Sequence, residues 1–150
     1  MSTWSNKGGK QLITTNNLNK RGIESYLNYV CPCCFNQLMD CKCNGDLFPM
    51  SLIMVDLGVQ EAVRILNKKG YRTLDSCEGH SKYSNTYISF RSNYGFGESL
   101  PLPEGFGKMK KNHAVSTMYD MSLSDEGYEL QKKINLDALL NWAESLPTVG

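Results

Sequence analysis

Five of the chain's six cysteines fall between positions 31 and 43, in the run Cys31-Pro32-Cys33-Cys34-Phe35-Asn36-Gln37-Leu38-Met39-Asp40-Cys41-Lys42-Cys43. Residues 1–21 lack the apolar core of a secretory signal, so reduced thiols gathered for a soft metal are favoured over a disulfide framework. Zinc is the expected metal. Cys31-x-x-Cys34 with proline after the first ligand has the look of a knuckle whose tight turn aims backbone amides at thiolates, and Cys41-x-Cys43 can supply the second pair. Four thiolates would close a tetrahedron at Cys31, Cys34, Cys41 and Cys43, leave no position for water, and make the site structural. Cys33 is then the spare, with substitution for a neighbour, or a ligand from Cys77 or His80, as the alternative.

The second constraint is the stretch from Asp56 to Phe90. Val59, Ala62, Val63 and Leu66 recur at three- and four-residue spacing, so residues 56–69 read as an amphipathic helix stopped by Gly70. Tyr71 to Ser76 reads as a strand, Cys77-Glu78-Gly79-His80 as a glycine-containing break, and Thr86 to Phe90 as a second strand. A thiol, a carboxylate and an imidazole thus stand together at a strand end, which is rigid on one side and open on the other. Cys77, Glu78 and His80 are accordingly expected at the rim or floor of a ligand pocket.

Composition narrows the function classes. Lys+Arg 16 against Asp+Glu 15 gives a net charge of +1, so no overall field points to long duplex DNA or to a membrane. The distribution is uneven, with Lys7, Lys10, Lys20 and Arg21 in a basic arm (1–22) and an acidic excess over residues 120–146. Lys7-Gly8-Gly9-Lys10 lacks the spacing of a phosphate-binding loop. No run has the length of a membrane span, and the expected location is the cytoplasm, that of the host cell if the protein is phage-encoded.

One domain of 150 residues is expected, with the arm, a metal-binding segment (30–46) and an α+β core (47–146). Leu47 to Val55 reads as a buried strand, and His113 to Met121 as a strand with Val115, Thr117, Tyr119 and Met121 on one face. Between them the Gly- and Pro-rich residues 93–107 read as a long loop carrying Tyr94, Phe96 and Phe106 toward a binding site. Ser124-Asp125-Glu126 opens a helical region that Asn135 would recap, with Leu136 to Leu146 following. The fold class is α+β: a small mixed or antiparallel sheet of about four strands, two helices and a zinc-bound N-terminal segment.

The pattern Leu66-Asn67-x-Lys69-Gly70-Tyr71-x-Thr73, then Ser76-Cys77-x-Gly79-His80, then Tyr87-Ile88-x-Phe90, behind a CPxC cluster, resembles a group of small proteins encoded by phages and prophages of Gram-positive bacteria. That resemblance spans roughly residues 30–91 and implies a viral accessory protein, a class that includes antagonists of bacterial immunity. More distantly, Ser76-Cys77-Glu78-Gly79-His80 is similar to the Ser-Cys-Ser-Gly-Arg segment of the wybutosine-synthesis methyltransferase family acting on transfer RNA. Glu78 and His80 replace that family's second serine and its arginine, and methyl transfer is not carried over.

Three functions are open to such a chain. A binding protein is favoured: Cys77, Glu78 and His80, Tyr94 and Phe96 would form the walls, while Lys68, Lys69, Arg72, Lys108, Lys110, Lys111 and His113 would attract an anionic nucleotide-like ligand or nucleic acid. No catalytic residue is assigned. The second is a Cys/His-dependent enzyme acting on RNA or nucleotides, with Cys77 as nucleophile beside His80 or His113. The third is an inhibitor masking a host defence protein. The partner is then an anionic molecule or a host protein and not a membrane, and self-association into a homo-oligomer is compatible with any of the three.

Overall fold

The structure, a computed structural model, describes residues 28–32, 34–37, 40–41, 53–118 and 120–149. The basic arm with its Lys7–Lys10 turn, Cys33, Cys43, most of the expected 47–55 strand and Tyr119 lie outside those residues. The chain divides into two compact units, Met1–Leu57 and Gly58–Gly150.

In the first unit, β1 (Tyr29–Val30) pairs antiparallel with β2 (Ile53–Met54), with Tyr29 opposite Met54 and Val30 opposite Ile53. The Val55 amide extends the ladder to the Asn28 carbonyl at 2.6 Å. Tyr29, Val30, Cys31 and Val55 are buried. Of the continuous apolar strand expected over 47–55, the described end is half-solvated, since Met54 is 62% exposed.

The second unit opens within the first turn of α1 (Leu57–Lys68), which buries Val59, Ala62, Val63 and Leu66. The valine and leucine side chains among them each contribute about 1.5–3 kcal/mol on burial, and the alanine methyl less. The exit is sharp. The Gly70 amide donates to Asn67 and the Tyr71 amide to Leu66 (3.1 and 2.8 Å), with Gly70 at φ +100, the left-handed cap that a side chain would strain.

Four antiparallel strands follow in the spatial order β3 (Thr73–Cys77), β4 (Tyr87–Phe90), β6 (Val115–Ser116), β5 (Gly107–Lys108). A bulge between Thr73 and Asp75 interrupts the edge strand β3. The interior strand β4 buries Ile88, Ser89 and Phe90. The single long helix α2 (Asp125–Ser145) starts where its cap predicts: Ser124 Oγ accepts the Gly127 amide at 3.0 Å. It runs through Asn135 without a break, because that side chain accepts Gln131 Nε2 at 3.0 Å and does not turn back on the backbone. Leu139, Trp142 and Ala143 are its buried face. The fold is therefore α+β, with small antiparallel sheets and a cysteine cluster near the N-terminus.

Two expectations give way to packing. The strand expected over 113–121 is the pair Val115–Ser116, with His113 in a preceding 3-10 turn at φ +49 and Met118 and Met121 exposed at 77% and 57%. Residues 93–107 are not a loose aromatic loop. Tyr94 and Phe96 join Tyr71, Phe90 and Trp142 in one cluster, with the Phe90–Phe96 and Phe96–Trp142 centroids 4.8 and 5.1 Å apart. Phe96 and Phe106 are buried, and Trp142 Nε1 donates to Pro101 O at 2.7 Å.

Candidate metal centre and ligand face

Cys31 follows β1 directly and is buried, and Pro32 starts the turn after it. The Phe35 amide returns to the Cys31 carbonyl at 2.8 Å, the Cys31 amide reaches the Asn36 carbonyl at 3.0 Å, and Phe35 takes φ +58, the left-handed position that follows the second thiol of a knuckle. A bridge between Val30 and Gln37 closes the base of the turn. Cys31, Cys34 and Cys41 then lie with all their sulfur atoms within 4.8 Å of one another. Thiolates at about 2.3 Å from a tetrahedral ion stand roughly 3.8 Å apart, so small side-chain adjustments let the three sulfurs share one ion. The group can hold a metal. Cys43, the expected fourth ligand, lies outside the described residues.

Cys77 and His80 do come together, at the end of β3 and in the turn after it, with their ligand atoms within 4.8 Å of each other, whereas Glu78 pairs with Lys132. The Gly79 amide donates to Cys77 Sγ at 3.3 Å, Thr86 Oγ1 donates to the Glu78 carbonyl at 2.8 Å, and the His80 amide donates to Ser84 Oγ at 2.8 Å. Gly79 takes φ +87, and a Cβ there would meet the Tyr128 hydroxyl at 3.1 Å. Glu78 is held by Lys132 of α2 at 2.9 Å, with side chains about one-fifth exposed (21% and 17%). Burial draws the Lys132 ammonium toward a lower pKa, but the Glu78 hydrogen bond and charge outweigh it and leave it raised. Burial raises the Tyr128 phenol.

The remaining expected ligand residues lie elsewhere. Arg72 precedes β3 and Cys77 ends it, so they are separated by the strand's length, roughly 16 Å at ~3.3 Å per residue. The Arg91 amide donates to the Arg72 carbonyl at 3.0 Å, and the Arg72 amide to the Tyr94 hydroxyl at 3.0 Å. Lys108 Nζ reaches Asn93 Oδ1 at 3.2 Å and stands 4.0 Å from Glu98. The register β4–β6–β5 turns the hairpin carrying Lys110, Lys111 and His113 toward this same end of the sheet. Arg72, Arg91, Lys110 and Lys111 are exposed. Tyr94 is half-buried, and Phe96, at 1% exposure, has no face left for a base.

Sequence reading did not single out Arg91 or Lys132, because a cation's partners come from distant segments. It also took Lys69 for a free cation. Lys69 Nζ instead donates to the carbonyls of Ala143, Glu144 and Leu146 at the end of α2. The groove of about 340 Å³ between α1 and α2 mixes Lys132 and Lys133 with Glu61, Glu129 and Asp137, so it has no preference for an anion. No helix among the described residues is long and apolar enough to cross a membrane. Comparison with protein-family models, curated proteins and solved structures finds no match.

Proposed function

We propose that the protein is a zinc-stapled binder of phosphate-bearing ligands, acting through the basic end of its four-stranded sheet. The observation that carries this reading is the register, which brings Arg72, Arg91, Lys108, Lys110 and Lys111 from three chain segments to one end. Clustered cations attract phosphate without reading base sequence. The burial of Phe96 favours contact through phosphates over stacking. The thiol set of Cys31, Cys34 and Cys41 suits zinc, which would hold the N-terminal segment without taking part in ligand chemistry. As a phage-encoded accessory protein it would sequester nucleotides or single-stranded nucleic acid in the host cytoplasm, in opposition to bacterial immunity.

Fluorescence anisotropy with a labelled single-stranded oligonucleotide, competed by nucleoside triphosphate, tests this. If five cations contact phosphates, log K should fall against log salt with a slope of up to about −3.5. K110E/K111E should weaken binding by at least ~10-fold, while recovered ligand stays chemically intact. A salt-independent affinity, or none with the metal bound, refutes the reading. Ligand altered beyond one equivalent and dependent on Cys77 would make the protein an enzyme.

A further inference from the structure

We propose that Cys77 and His80 form a second metal-binding position, a two-residue chelate for a zinc-class divalent ion, independent of the cysteine cluster at residues 31–41. The spacing is that of a knuckle: the first and fourth residues of Cys77-Glu78-Gly79-His80 carry a thiol and an imidazole, and their ligand atoms lie within 4.8 Å of each other. The backbone is already in the form such a chelate requires. Gly79, at φ +87, reverses the chain and aims its own amide at Cys77 Sγ at 3.3 Å. That contact stabilises a thiolate in preference to a thiol, and thiolate is the form that binds metal.

Two further bonds fix the turn. Thr86 Oγ1 holds the Glu78 carbonyl and Ser84 Oγ holds the His80 amide, both at 2.8 Å, so both ligating residues leave a constrained backbone. Glu78 points away to Lys132, which keeps its carboxylate from neutralising an ion at the chelate. Cys77 is half-buried at the end of β3 and His80 is exposed. A thiolate with an imidazole selects zinc-class ions over magnesium or calcium, and oxygen donors would complete the shell. This position lies at the opposite end of β3 from the basic face, so it does not depend on the anion reading.

Cobalt(II) added to the reduced protein, prepared with one zinc per chain at the cysteine cluster and none at Cys77 and His80, provides the test. Expected is a thiolate-to-cobalt absorption in the near ultraviolet with visible d–d bands, saturating at one added equivalent. Both C77S and H80Q should abolish it while leaving the urea midpoint and the oligonucleotide affinity unchanged. Three outcomes overturn the proposal: no spectral response to cobalt, a response that survives in both variants and therefore arises at the other cysteines, or one that needs Cys77 but is untouched in H80Q.

Discussion

Replacing Lys69 with Met removes one ammonium from three carbonyl oxygens while keeping a side chain of similar length. Nζ donates to Ala143 O at 2.9 Å, Glu144 O at 2.6 Å and Leu146 O at 2.7 Å. These oxygens lie at the C-terminal end of α2, where carbonyls lack partners further along the helix and the macrodipole concentrates negative charge. The bonds to Ala143 and Leu146 are half-buried and the bond to Glu144 is exposed, so two of the three dominate. At about 1–1.5 kcal/mol for each of those two, Lys69→Met should destabilise the protein by about 2–3 kcal/mol. With a urea slope of about 1–1.5 kcal/mol/M, the midpoint should fall by about 2 M at unchanged slope. Lys68→Met, at the exposed neighbouring position, should stay within about 0.5 kcal/mol of wild type. Lys69→Arg should recover part of the loss, since guanidinium keeps the charge but not the ammonium's three-way reach. A Lys69→Met midpoint within about 0.3 M of wild type would refute the cap.

Phe96→Ala should lose about 3–5 kcal/mol in the same assay, because Phe96 is buried against four other rings; a loss under about 1 kcal/mol would return it to the surface. Lys132 has a raised folded pKa, so its stabilising contribution is fully present below the unfolded lysine value near ~10.4 and is lost as pH rises through the folded value. Tyr128, also raised, adds loss above the unfolded tyrosine value near ~10, so stability should decline from about pH 10 upward, less steeply in Lys132→Met. A stability flat to pH 11 in wild type would contradict both shifts. Gly79→Ala should destabilise by at least about 1 kcal/mol, through its positive φ and the close Tyr128 hydroxyl, and a neutral result would deny the turn its geometry.

Local patterns were legible in the chain. The spacing of Val59, Ala62, Val63 and Leu66 placed α1, Gly70 its stop and Ser124 the start of α2, because each depends on residues a few positions apart. Three of the four chosen cysteines converge, and for Cys31 and Cys34 the reason is the same: a knuckle is a local turn. Tertiary partners were not legible. Nothing near Phe96 in sequence reveals that Trp142 and Phe90 cover it, so flanking glycines made a core residue read as a loop tip. Lys69 beside Lys68 reads as a solvated pair until the end of α2 is brought to it. The expected pocket put Arg72 beside Cys77, which is near it in sequence, whereas the direction of β3 puts the two at its opposite ends. The cations that do gather are brought together by sheet register, to which single-sequence periodicity is blind.

The measurement that bears most directly on the metal-stapled architecture is native mass spectrometry of the reduced protein, purified without chelator, as wild type and as Cys34→Ser. Because metal binding by such a segment is also folding free energy, on the order of 10 kcal/mol for structural zinc, the metal should survive purification and transfer. Wild type should carry bound zinc, and Cys34→Ser should carry one ion fewer, with a broadened charge-state distribution from the loosened N-terminal segment. A wild-type protein that is metal-free yet compact, or a Cys34→Ser variant with an unchanged metal count, would contradict the assignment of Cys31, Cys34 and Cys41 as a shared metal site.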